Sequence, residues 1–250
     1  GRATALALQE RGYTVYELSR RAEGMPDIRH IVADITKEET LQAAVEQVLA
    51  VEGRLDLVVN NAGFGISGAI EFTDTQEAQR LFDTLFFGMV RMNRCVIPLM
   101  RQQGHGRIVN ISSVAAPVPI PFQAYYSAGK AAINAYTMAL ANELRPFGVT
   151  VCAVMPGDIK TGFTAARHKI IDGDDIYQGR IGRSVQRMEH DEQTGMDPAK
   201  VGRYIAAVAS REGSHHPLYA TRIDYKFFVF LTKVLPARFL NWLIYQLYGK

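Results

Sequence analysis

Short apolar runs alternate with amphipathic stretches of ten or more residues from the start of this 250-residue chain to residue 155, and no other feature limits its fold as strongly. Helical patterns over 2–11, 37–51, 75–103 and 124–145 are interleaved with strand-like runs over 13–18, 28–33, 55–59, 107–112 and 149–155. Strands joined by helical crossovers of this length lie parallel with right-handed connections, which gives an α/β protein built on a doubly wound parallel sheet. Gly12 ends the first helical pattern and Pro146 stops the last of the four. A chain of this length fits one such domain, so residues 1–250 are read as a single unit with no repeat or low-complexity segment.

Charge and cysteine usage remove several classes of function. The net charge is +3 with both signs interspersed, and no sustained basic block offers a nucleic-acid surface. Cys95 and Cys152 are isolated in apolar elements and read as small buried hydrophobes in a reduced compartment, not as a disulfide or a metal site. The first residues lack a charged-then-apolar leader pattern, so a cytoplasmic location is expected.

The chemistry is concentrated at Tyr126-Ser-Ala-Gly-Lys130, with Ser113 thirteen residues upstream. On a helix the four-residue spacing puts the Tyr126 phenol and the Lys130 ammonium on one face, where the cation can stabilise a phenolate. That pair makes a proton donor or acceptor for a carbonyl and its alcohol. Tyr-x-x-x-Lys occurs often on solvated helices, so its context matters. Asn60-Asn61-Ala62-Gly63 follows the apolar run 55–59, Ser112-Ser113 follows a second strand, and Pro156-Gly157 follows a third.

With these motifs in this order, residues 1 to about 165 resemble the short-chain dehydrogenase/reductase family, on its hydroxysteroid and retinol dehydrogenase side. The resemblance implies a Rossmann-like fold and hydride transfer between a nicotinamide and a secondary alcohol or ketone. Tyr126 would be the acid/base. Lys130 would bind the nicotinamide ribose and hold the tyrosine pKa down, and Ser113 would hold the substrate oxygen, with Ser112 the adjacent alternative.

The resemblance also implies the cofactor contacts. Gly1 aligns with the last glycine of a Thr-Gly-x-x-x-Gly-x-Gly turn, which implies that a strand of ~5–6 residues and most of that turn belong upstream of it. Where the second strand ends, Ser19-Arg20-Arg21 offers cations and no acid, which favours NADP(H) over NAD, with Arg20 as the contact; a solvated pair is the alternative. Asp34 and Ile35 align beside the adenine. Asn60, Ala62 and Gly63 align with a cofactor-facing turn, although Asn60 reads equally well as a structural cap between strands. Pro156, Gly157, Ile159 and Thr161 align with the loop that meets the carboxamide, with Thr161 as a helix N-cap the other reading.

One departure stands in the long helix, where the family carries Asn three residues before a glycine and this chain has Leu85 before Gly88. Residues 162–200 lose periodicity, and the resemblance makes them the segment that covers the substrate; a solvated surface insertion is the alternative. A helix is expected near 198–211, and residues 225–250 are rich in Phe, Leu, Trp and Tyr. Phe239, Leu240, Leu243, Ile244 and Leu247 form an amphipathic pattern after Pro236, too short to span a bilayer. Packing over the core, a subunit contact and attachment at a membrane surface remain open for it. The expected substrate is a small apolar ketone or alcohol of steroid, retinoid or acyl-lipid type, and the resemblance implies a homodimer or homotetramer through helices 75–103 and 124–145. A non-catalytic nucleotide-binding scaffold on the same fold is the competing reading; an epimerase of the extended type would need a larger second domain.

Overall fold

The computed structural model describes residues 1–213 and 215–250. In chain order its elements are α1 (Arg2–Gln9), β1 (Tyr16–Ser19), β2 (Arg29–Val32), α2 (Glu38–Glu52), β3 (Leu57–Asn60), β4 (Ile66–Ser67) and α3 (Thr75–Phe82). They continue with α4 (Gly88–Gln103), β5 (Gly106–Ile111), α5 (Ala124–Leu144), β6 (Val149–Met155), α6 (Phe163–Ala166) and β7 (His168–Lys169). The remainder are α7 (Arg180–Gln193), α8 (Pro198–Ala209), β8 (Leu218–Ala220), α9 (Ile223–Val234) and α10 (Ala237–Ile244).

β3, β5, β6 and β8 pair in that order, all parallel, with Leu57 opposite Arg107, Ile108 opposite Val151 and Ala153 opposite Leu218. β6 is buried almost throughout, as a strand covered on both faces must be, and its sequence is accordingly an unbroken apolar run. One face carries α2, α4 and α5, whose Val45, Met92, Val96 and Leu140 pack on Ile108 and Val151. The other carries α1 and α8, with Leu8, Val201 and Ile205 against Val109, Cys152 and Val154. α8 starts where Asp197 accepts a bond from the Ala199 N–H at 3.0 Å, with Pro198 at the first helical position. Gly202 lets it close on α1, since a Cβ there would lie 2.5 Å from the Ala3 backbone.

The structure keeps the parallel α/β architecture and refines several sequence readings. β1 and β2 form a separate parallel pair beside the four-stranded sheet. β1 and β3 stand too far apart to pair, and a cavity of about 570 Å³ lies between them, lined by Val15, Glu17, Leu57 and Val59 and by Leu8, Val45 and Met92 from the two helical layers. The helix over 75–103 is broken by a wide π turn, Asp83–Phe87, across which Arg91 binds both the carboxylate and the carbonyl of Asp83. Cys152 is buried, but Cys95 is only half-buried because its side of α4 is not fully covered. No helix among the described residues is long and apolar enough to cross a membrane.

Candidate active site

β5 delivers two serines to its C-terminal end, and they diverge. Ser112 turns into the fold, where its hydroxyl donates to the Lys130 carbonyl at 3.1 Å. Ser113 lines a cavity, accepts from the Ala115 N–H at 3.1 Å and is close enough to the Tyr126 phenol to favour its ionised form. Both serines line the cavity, but the Ser112 hydroxyl is engaged by the Lys130 carbonyl, whereas Ser113 is the one close to the Tyr126 phenol.

Tyr126 and Lys130 lie one turn apart on α5, with the Lys130 Nζ 5.6 Å from the Tyr126 ring centroid. The ammonium donates to the Ile111 carbonyl at 2.7 Å. Both residues are buried, and burial governs both titrations. It pushes the phenol up to about 12 and pulls the lysine down to about 7. The expectation that Lys130 holds the tyrosine pKa down is not met here: desolvation of the charged form is the largest cause for Tyr126 and the cause for Lys130. Leu85, at the place where the family has Asn, is buried with Tyr126 in one apolar cluster and fills the space beside Gly63 and Gly129. It puts no polar group next to Lys130.

A cavity of about 1030 Å³ joins these residues. Gly1, Asn61 and Gly63 lie along it, Ser113, Tyr126 and Lys130 form part of its wall, and Pro156, Gly157, Ile159 and Thr161 approach from the loop after β6. Thr161 also accepts from the Phe163 N–H at 3.2 Å, but the N-cap of α6 is Gly162, one residue later, so Thr161 precedes the cap position. Of residues 162–200, the cavity is met by Gly162, Phe163, Ala166 and Glu192. Much of the cover comes from Phe228 and Thr232 of α9 and from Leu240, Leu243 and Ile244 of α10. The 225–250 segment is therefore a cavity roof.

The other aligned residues lie elsewhere. Arg20 is exposed after β1 and contributes, with Lys37, to lowering the Asp34 carboxyl, an effect due first to the Thr36 backbone N–H and hydroxyl. Asp34 accepts from both Thr36 groups, at 3.0 and 2.8 Å. Ile35 packs under Gly88, and Ile35 and Ala62 face the cavity between β1 and β3. Asn60 lines the cavity between β1 and β3 and also sits in a hydrogen-bond network: its amide donates to Asn93 at 2.8 Å and to Asn110 at 2.9 Å, and Asn110 donates to Thr137 at 2.9 Å. The network ties β3 and β5 to α4 and α5.

Sequence reasoning missed a polar group in the cavity wall. Asp158, directly after Pro156-Gly157, accepts from the Tyr225 hydroxyl at 3.2 Å and has no ion-pair partner among the described residues. Burial, then the carboxylates of Asp191 and Glu192, push its pKa up. Tyr225 lies flat on Gly157, where a Cβ would meet the ring carbons at 2.0 to 2.5 Å. Glu192, by contrast, is neutralised by Arg167 and accepts from Thr164 at 2.6 Å. Adjacency to Pro-Gly was the only sequence signal for Asp158, and Tyr225 had none.

The wall suits a hydroxyl-rich ligand at one end. Lys130 gives one of its three N–H groups to Ile111 and has no other acceptor among the described residues, although it is 5% exposed. Comparison with known proteins then decides the family, because the short chain dehydrogenase model matches residues 1–170. The chain belongs to the short-chain dehydrogenase family. It is similar to 3-ketodihydrosphingosine reductase of Bacteroides thetaiotaomicron, at 38% identity over 97% of this chain and 88% of that protein. It is also similar to NADPH-dependent 1-acyldihydroxyacetone phosphate reductase of Schizosaccharomyces pombe, at 33% identity over 64% of this chain and 56% of that one. A crystal structure of a short-chain dehydrogenase from Streptomyces avermitilis superimposes with a TM-score of 0.82 and 32% identity, over 92% of this chain and 86% of that one. This short-chain dehydrogenase is an oxidoreductase of CH–OH and C=O groups on a Rossmann-like fold that binds a nicotinamide cofactor.

Proposed function

We propose that this short-chain dehydrogenase is an NADPH-dependent reductase of a long-chain amino ketone. The observation that carries the proposal is the apolar cavity that places Ser113, Tyr126 and Lys130 beside an unpaired carboxylate, Asp158. Tyr126 donates its proton to the substrate carbonyl oxygen as the carbon is reduced, and its raised pKa keeps it protonated at neutral pH. Ser113 holds the same oxygen and positions the carbon. Lys130, which gives only one of its N–H groups to the Ile111 carbonyl, holds ribose hydroxyls with the others. Bound nicotinamide would supply the hydride, and Arg20 would meet the adenosine phosphate that distinguishes NADPH.

α9 and α10 give the cavity an apolar roof, which fits an alkyl chain better than a sugar. Asp158 adds the selectivity: a basic nitrogen next to the carbonyl would supply its missing counter-charge. That chemistry agrees with the substrate named for the Bacteroides relative, since 3-ketodihydrosphingosine is a long-chain amino ketone. The test compares a long-chain 2-amino ketone with the same ketone lacking nitrogen, in wild type and Asp158→Asn. The substitution should raise KM about 10-fold or more for the amino ketone only, the scale of a lost charge-assisted hydrogen bond. Equal effects on both ketones would remove the amine from the proposal, and failure to turn over either would remove the ketone.

A further inference from the structure

α9 and α10 have a second apolar face that the cavity does not use. Ile223, Phe227, Phe230 and Val234 follow at spacings of four, three and four residues, one stripe of a helix, and are 83, 58, 55 and 55% exposed. Phe239 and Trp242 stack on α10 with centroids 5.9 Å apart and extend the stripe into solvent. None of these six lines the cavity over Tyr126. Scattered exposed hydrophobes are ordinary, but six large ones on two consecutive short helices mark a contact surface.

Charge selects what covers it. Residues 221–250 contain Arg222, Lys226, Lys233, Arg238 and Lys250 against Asp224 alone, a surplus of four positive charges in a chain whose net charge is +3. The other 220 residues therefore carry a net charge of −1, and the basic character of the chain resides in the segment that bears the stripe. A second copy is a poor occupant, because a twofold contact lays the same cationic patch on itself. Aromatic rings flanked by lysine and arginine suit the boundary between headgroups and acyl chains, where the rings enter and the cations reach phosphate. Neither α9 nor α10 can span a bilayer, which leaves them lying on it.

We infer that α9 and α10 seat this chain on an anionic lipid bilayer, with the Ile223–Trp242 stripe in the headgroup boundary and Lys226 and Lys233 on lipid phosphate. The inner faces of the same helices roof the catalytic cavity, so a long-chain substrate would pass between the bilayer and Tyr126 without crossing bulk water. That route rests on the reductase reading; the docking does not.

Trp242 is the only tryptophan of the chain and lies on the stripe, so its fluorescence reports docking without cofactor or turnover. The full chain is mixed with vesicles of phosphatidylcholine alone or of phosphatidylcholine with phosphatidylglycerol, and flotation is measured in parallel. The emission should shift to the blue and the protein should float with the anionic vesicles, and far less with the neutral ones. Phe227→Ser combined with Phe230→Ser should abolish both signals while circular dichroism stays unchanged. Lys226→Gln with Lys233→Gln should lower partitioning about 30-fold, from ~1 kcal/mol per juxtamembrane cation. The inference is overturned by no flotation of the wild type, by equal flotation of the serine variant, or by a lipid-free dimer that the serine variant dissolves.

Discussion

Replacing Asn60 by alanine separates a framework residue from a cofactor residue, the two readings its sequence position left open. Its amide nitrogen donates to Asn93 Oδ1 at 2.8 Å and to Asn110 Oδ1 at 2.9 Å, and both recipient side chains are fully buried. Asn60→Ala leaves two buried acceptors without these donors, at ~1–3 kcal/mol each before relaxation. Partial rearrangement of the carboxamides reduces that to an expected loss of about 3 kcal/mol, or ~6–12 °C in Tm for a chain of this size. Urea unfolding followed by circular dichroism gives the stability, and equilibrium titration of the native variant gives its NADPH affinity. Affinity should change by less than about threefold, under ~0.7 kcal/mol. If stability stays within about 0.5 kcal/mol of wild type while NADPH binding falls tenfold, the network is incidental and Asn60 is a cofactor residue. Asn60→Ala and Asn110→Ala should also be non-additive by ~0.5–3 kcal/mol, as members of one network are.

Two other outcomes follow from the site. Arg20→Glu should weaken NADPH about 10-fold or more and leave NADH binding level or improved, on the scale of one charge-assisted hydrogen bond; an unchanged NADPH-to-NADH ratio contradicts the Arg20 contact. Lys130 is lowered by burial from 10.5 to about 7, so between those values the unfolded chain holds a proton that the folded chain has shed, and stability rises with pH. The stability of wild type minus that of Lys130→Met should climb through this window by up to ~1.4 kcal/mol per pH unit, and a difference that is flat with pH would show that Lys130 is not desolvated.

The alternation of strands and helices was legible because each buried strand is a run of apolar residues and each helix has one apolar face. The π turn at Asp83–Phe87 was invisible, since Leu81 and Leu85 keep an apolar period through it while the widening is held by Arg91, eight residues beyond Asp83. α9 escaped for the opposite reason: its Ile223–Val234 stripe is matched by Phe228 on the cavity side, so no polar face sets the stripe off. Ser113, Tyr126 and Lys130 could be found because a loop and one helix turn fix their spacing. Asp158 acquires its setting from Tyr225, and Glu192 from Arg167, across 67 and 25 residues, and no local pattern encodes such meetings. The direction of the tyrosine pKa could not be read from sequence, because spacing shows a neighbouring cation and not the burial that raises the phenol.

The central claim is that Tyr126 protonates a ketone reduced with NADPH in this cavity. The direct test follows NADPH oxidation by wild type and Tyr126→Phe with a long-chain 2-amino ketone, with NADPH binding measured on both proteins. The account predicts turnover by wild type and a fall of ~10²–10⁴-fold in the variant, with NADPH still bound. Turnover by Tyr126→Phe at the wild-type rate, or no NADPH oxidation by folded wild type that binds the nucleotide, would contradict it.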